Sequence, residues 1–179
     1  MRQVNWFDRK FDFAIDQNIM PSIIERLEGT PIRLREKLRI TDSSLYKIKP
    51  NDKWSILEHV GHLADLEPLW QGRLDDILSG QKELRPTDLN NKKTIEANHN
   101  DTPLWELLRE METLRKMTVA KLRALDDADV FKSAYHPRLK TPMRTIDLFT
   151  FVAEHDDHHL AKITEIIAFC RANKAQDHS

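Results

Sequence analysis

The sequence holds a single cysteine, Cys170, among its 179 residues. One thiol excludes an internal disulfide and fits a reducing compartment. Cys170 lies in the late apolar run IIAFC, where buried packing is a better reading than nucleophilic catalysis. Glycine is almost as scarce, with four residues, and Leu, Glu, Lys, Arg and Ala dominate. The bias is therefore towards helix. No run of about 18 apolar residues exists to cross a membrane. The opening stretch MRQVNWFDRKFDF lacks the apolar core of a signal peptide. Neither charge sign is in excess, with 28 Lys and Arg against 29 Asp and Glu. No basic stripe supplies the phosphate contacts on which nucleic-acid binding depends. These absences predict a soluble, cytoplasmic protein that binds neither nucleic acid nor membrane.

What is present is globular: 40% of residues are hydrophobic and 32% charged. We find no repeat or linker, so residues 1–179 are expected to form one domain. Helical spacing runs through Phe7, Phe11, Ile15, Ile19, Ile23 and Leu27, predicting a helix over 5–28 that Pro21 bends or divides. Gly29 suits a helix end, and Thr30-Pro31 an N-cap opening a short helix to about Arg39. A second long helix begins around Asp52–Ser55 and runs to about Leu78. Ser55 and Glu58 have capping-box spacing, Asp52 is an equally good cap, and Pro68 predicts a kink or break. The polar segment 81–101 is long for a helix connection, so it either covers something or hides a short element. Thr102-Pro103 opens a third helix to about Leu125, and Thr141-Pro142 a last one to about Asn173. No strand pattern competes. The fold class read from this is all-α, a four-helix bundle with one long crossover loop.

The last helix contains EHDDHHLAKI, with histidines at 155, 158 and 159. In a helix, His155 and His159 lie about 40° apart, and His158 is turned about 60° the other way. The apolar arc of Leu148, Val152, Leu160, Ile163, Ile166 and Ile167 takes in His155, His159 and Asp156. It leaves His158 outside, beside Lys162 and Glu165. Burying two imidazoles one turn apart is costly unless their nitrogens find partners. A divalent metal is such a partner, and i, i+4 is the spacing of helical zinc sites. A third ligand must come from a neighbouring helix. In WSILEHVGHLADLEPLW both His59 and His62 lie near the apolar arc, and periodicity does not choose between them. Gly61 permits close backbone approach beside His62.

Together, WSILEHVGHLADLE and AEHDDHHLAKI resemble the DinB/YfiT-like superfamily across the whole chain. The resemblance implies a four-helix bundle whose metal is held by three histidines, and its motif selects His62 over His59, with His155 and His159. It implies a divalent transition metal, zinc or nickel, with a low-molecular-weight thiol as a further cofactor. Three imidazoles leave an open coordination position. Water there favours hydrolysis and a thiol there favours S-transfer, so the ligands alone do not decide between hydrolase and thiol transferase. The substrate is expected to be a small molecule. A non-catalytic, stress-related metal protein is the alternative, and a metal-free bundle a third reading. The apolar faces exceed what one bundle buries, which together with the resemblance points to a homodimer. Glu58 and Asp156 are candidates to orient the histidines, although ion pairs explain both better. His136 and Arg138 of the HPRL loop would line a pocket mouth, with Arg138 holding a substrate carboxylate. His99 carries no signal beyond its place in the long loop.

Overall fold

The computed structural model describes residues 3–14 and 16–176, with side chains to Asn173. Its elements are α1 (Met20–Arg39), α2 (Ile56–Leu78), α3 (Lys92–Glu96), α4 (Leu104–Arg123), α5 (Asp127–Phe131), β1 (Ser133–His136), β2 (Thr141–Arg144) and α6 (Thr145–Gln176). Ser55 starts α2 with a reciprocal cap. Its hydroxyl accepts the Glu58 N–H, and the Glu58 carboxylate accepts the Ser55 N–H. The helix then continues through Pro68 without the break that was one of the two expectations there.

Three local readings change in the tertiary structure. The described residues of 5–19 are not helical beyond one turn at Trp6–Asp8. Instead Trp6 and Phe11 pack on Phe151 of α6, and Arg9 pairs with Glu154 at 2.7 Å. The segment is a strap, and its aromatic contacts outweigh its helical spacing. Ile15 lies outside the described residues. Pro21 accordingly sits in the first turn of α1, where its missing N–H costs nothing.

Gly29 and Thr30-Pro31 do not separate two helices, because α1 passes straight through them. Pro31 leaves the Leu27 carbonyl without its i+4 partner. The buried guanidinium of Arg115 replaces it, with Nη1 donating to Leu27 O at 2.9 Å. Thr30 is not a cap either; its hydroxyl donates to Asp156 at 2.8 Å. Lastly, Thr141-Pro142 lies in β2, which pairs antiparallel with β1. The reading that no strand competes is thereby corrected. Proline is tolerated because β2 is an edge strand, the far side of β1 being bridged by Glu83. Of the three Thr-Pro pairs, Thr102-Pro103 alone opens a helix, α4.

The four long helices form the bundle, with α4 and α6 each packed between α1 and α2. The apolar core is split in two. One half gathers Leu27, Trp70, Leu74, Phe149 and Val152; the other gathers Leu34, Val60, Leu63, Met111 and Ile163. Between them lies a buried polar clamp. Arg115 of α4 donates to Glu67 of α2 (2.8 and 2.5 Å) and to Asp156 of α6 (2.5 Å). With Thr30 on Asp156, and Thr118 of α4 on Glu67, every bundle helix contributes at least one residue to the clamp. The crossover 79–103 holds α3 and a short turn at His99–Asp101, both packed on α2. No described helix is long and apolar enough to cross a membrane.

Candidate metal centre

Seven of the eight histidines are buried; His178 lies outside the described residues. Six of the seven line one cavity of about 650 Å³: His59, His62, His136, His155, His158 and His159. The cavity opens between α2 and α6, under the N-terminal strap. Ligand atoms from His62, His155 and His159 lie within 4.8 Å of one another. The structure thus brings together the three histidines named from the motif.

Each ring is held from behind. His62 Nδ1 lies 2.9 Å from the Thr94 hydroxyl, which itself donates to Asp65 Oδ2 at 2.8 Å. A hydroxyl has one proton to give, so His62 must supply the proton between them. That fixes its tautomer as Nδ1–H and leaves Nε2 as the free lone pair. His99 also reaches Asp65 Oδ2, at 2.8 Å. Burial works against the Asp65 charge, yet the bonds from His99 and Thr94 outweigh it and hold the carboxyl below its ordinary range. Gly61 has its own part here: a Cβ at this position would run into the His99 ring. The close approach expected at Gly61 is therefore made by a histidine from the crossover.

His159 Nδ1 meets His59 Nδ1 at 2.8 Å, and His159 Nε2 meets His155 Nε2 at 3.1 Å. His59 and His62 both face inwards, which is why periodicity did not separate them. They differ in place: His59 backs His159, whereas His62 joins the cluster. His155 packs edge-on to Trp6 and Trp70, with its Nδ1 buried and without a partner among the described residues. His158 is not turned to solvent as its helical angle predicted. The strap covers it, with Trp6 at 5.5 Å, and its Nδ1 also lacks a partner among the described residues.

Burial, before any neighbouring charge, pushes all these imidazoles down. His59 falls to about 3, His62 and His158 to about 4, and His155 and His159 well below 6.5. At neutral pH the cavity floor is a set of uncharged nitrogen donors.

Glu58 and Asp156 make the ion pairs favoured for them. Glu58 caps α2 and binds Lys49 at 2.6 Å, and Asp156 belongs to the Arg115 clamp. The groups that orient the histidines are Thr94, Asp65 and His59. Asp65 follows His62 by three positions, the spacing that shares a helix face. Thr94 and His99 carried no such signal, because only the folded crossover brings them there. His136 and Arg138 do line the cavity, joined by Arg73 of α2, which nothing in the sequence marked.

A four-helix bundle with a histidine cluster at the base of a cavity defines the class of protein. The chain belongs to the DinB superfamily, whose family model matches residues 26–163. It is 28% identical over 145 residues to YfiT of Bacillus subtilis strain 168, covering 80% of this chain and 81% of that one; YfiT is provisionally named a metal-dependent hydrolase. The YfiT structure, a four-helix bundle of unusual topology, superposes with a TM-score of 0.75 over 88% of this chain and 91% of its own, at 23% identity. The four-helix bundle protein TT2238 superposes at 0.60 over 82% and 98%, at 17% identity.

Proposed function

We propose that this chain is a divalent-metal-dependent enzyme that hydrolyses a small molecule, with the ion held by His62, His155 and His159. One observation carries the reading: three buried, uncharged imidazoles converge within 4.8 Å on the floor of a ligand-sized cavity. The donor set suits zinc or nickel. Fit is supported by His155 and His159, whose Nε2 atoms face each other at 3.1 Å. Two neutral rings at that contact share one proton at most, and an ion is the partner that takes both lone pairs. When bound, it supplies Lewis acidity at neutral pH. The chain's own residues do the positioning. Thr94 and Asp65 hold His62 by its far nitrogen, His59 holds His159 by its own, and Trp6 and Trp54 close over the rings.

A non-catalytic ion site would need no such cavity, and three ligands leave a position that a closed structural site fills. The similarity to YfiT favours hydrolysis over thiol transfer. The test is elemental mass spectrometry on untagged protein purified without added metal, beside His62→Ala and His155→Ala. Esters and amides are then assayed with and without a low-molecular-weight thiol. Near one equivalent of metal, lost in both variants, with thiol-independent turnover, is expected. No metal after reconstitution with zinc or nickel sinks the reading; turnover only with thiol moves the function to transfer.

A further inference from the structure

We infer that Arg73, His136 and Arg138 form an oxyanion subsite at the other end of the same cavity, for a carboxylate or phosphate carried by an elongated, partly aromatic or aliphatic ligand. As a substrate subsite this rests on the enzymatic reading above; as an anion site it does not.

Arg73 is 1% exposed and lies eleven positions after His62 on α2. Its Nε donates to the Arg85 carbonyl at 3.1 Å, which anchors the guanidinium. Its Nη2 is buried with no hydrogen-bond partner among the described residues. Among the described residues, no carboxylate forms an ion pair with Arg73 or Arg138. Asp76 is taken by Arg85, at 2.9 and 2.7 Å. Gly72 makes room for that pairing, since a Cβ there would meet the Arg85 side chain. Asp76 still attracts Arg73 through space, but a buried guanidinium with no carboxylate in direct contact is costly to keep.

The neighbouring histidine sharpens the point. His136 Nδ1 accepts the backbone N–H groups of Arg138 and Leu139, both at 3.2 Å. The proton of the neutral ring is therefore on Nε2. That Nε2–H faces Arg73 Nη1 at 3.1 Å, so two donors confront each other with no acceptor between them. An oxygen that accepts from both relieves the conflict and gives Nη2 its partner. Burial, then Arg73 and Arg138, lowers His136 to about 4, in keeping with a ring that is neutral until an anion arrives.

Arg138 brings a second positive charge, lying over Phe7 and Phe151. Phe151 and Trp70 line the cavity towards His155, with Trp70 5.9 Å from that ring. The middle of the ligand is therefore apolar. Eleven residues of helix are about 16 Å of rise, shortened by the reach of the arginine side chain, so acetate is too short to occupy both ends.

The experiment uses chelator-treated protein, so that no metal takes part. Hexanoate, hexyl phosphate and hexanol are titrated against the fluorescence of Trp6, Trp54 and Trp70, with His136 followed by NMR. One of the two anions is expected to bind at least about tenfold more tightly than hexanol, the worth of one charge-assisted hydrogen bond, and to raise the His136 pKa. The tighter anion identifies the oxyanion class. Its advantage is expected to vanish in Arg73→Gln and Arg138→Gln and to shrink in Arg73→Lys. If Arg73→Gln does not fold, Arg138→Gln and Arg73→Lys carry the test. Equal binding of all three probes overturns the inference, as does an anion preference unchanged in Arg138→Gln and Arg73→Lys. An intact preference in a protein that never hydrolyses anything sinks the hydrolase reading alone.

Discussion

Thr94 carries a single hydroxyl between His62 and Asp65, and removing it leaves a ring nitrogen without its acceptor. Thr94→Val is expected to weaken zinc binding about 10–100-fold, the usual effect of losing a group that orients a ligand, with Thr94→Ser restoring most of it. Competition with a chromophoric chelator measures this; unchanged affinity in Thr94→Val would remove the relay from the account. Gly61 offers a second test on the same side of α2. Alanine normally gains about 1 kcal/mol over glycine within a helix. Here its methyl would displace the His99 ring, and overpacking of this kind costs about 1–3 kcal/mol. Urea denaturation should find Gly61→Ala less stable than the parent. A gain would mean that the ring moves aside freely.

The N-terminal strap is the element that departs furthest from its sequence. Phe7, Phe11 and Ile19 recur as a helix would place them, yet no helix face could cover His155, His158 and Phe151 as the extended chain does. Trp6 sits 4.9 Å from His155 and 5.5 Å from His158. Burial is the main cause of the low His158 pKa, ahead of Lys162 and Arg9. Trp6→Ala should therefore raise it from about 4 towards the ordinary imidazole value, as read by NMR titration of the metal-free protein. A pKa that stays near 4 would show that the strap is not what keeps water away. In α1, Thr30-Pro31 reads locally as a helix start. The helix survives because Arg115, 84 positions further along, supplies the donor that Pro31 lacks.

At the scale of the whole molecule, two buried features bear on stability. The clamp of Arg115, Glu67 and Asp156 divides the apolar core and ties the bundle helices together. Arg115→Leu would strand two buried carboxylates, at a cost of about 3–5 kcal/mol. Urea denaturation checks this, and a loss under about 1 kcal/mol would show that the carboxylates are relieved by water or protonation. The cavity histidines set the second feature. Burial holds all six below 6.5 in the folded state, four of them at about 3 or 4. Between about 6.5 and 4 the unfolded chain binds more protons than the folded one, so stability falls as pH falls. Each such group contributes a slope of up to about 1.4 kcal/mol per pH unit. The urea midpoint of metal-free protein should hold above pH 7 and drop steeply between pH 6.5 and 5. A flat midpoint would mean that the histidines protonate without unfolding.

The helices with strong periodicity and local caps were legible in the sequence. Ser55 and Glu58 start α2 by reciprocal hydrogen bonds between near neighbours, and the apolar arc of α6 places His155 and His159 inward whatever lies opposite. The short motifs around His62 and His155 also carry family membership. Tertiary structure alone decided the rest, because it depends on contacts between residues far apart in the chain. His59 and His62 share an inward face, and only the position of α6 assigns one to the cluster and the other behind it. His158 is buried by a strap from the opposite end of the chain, and Thr94 and His99 reach α2 only when the crossover folds back. Arg73 reads as one more helical arginine until the hairpin turns His136 towards it and leaves two donors waiting for an anion.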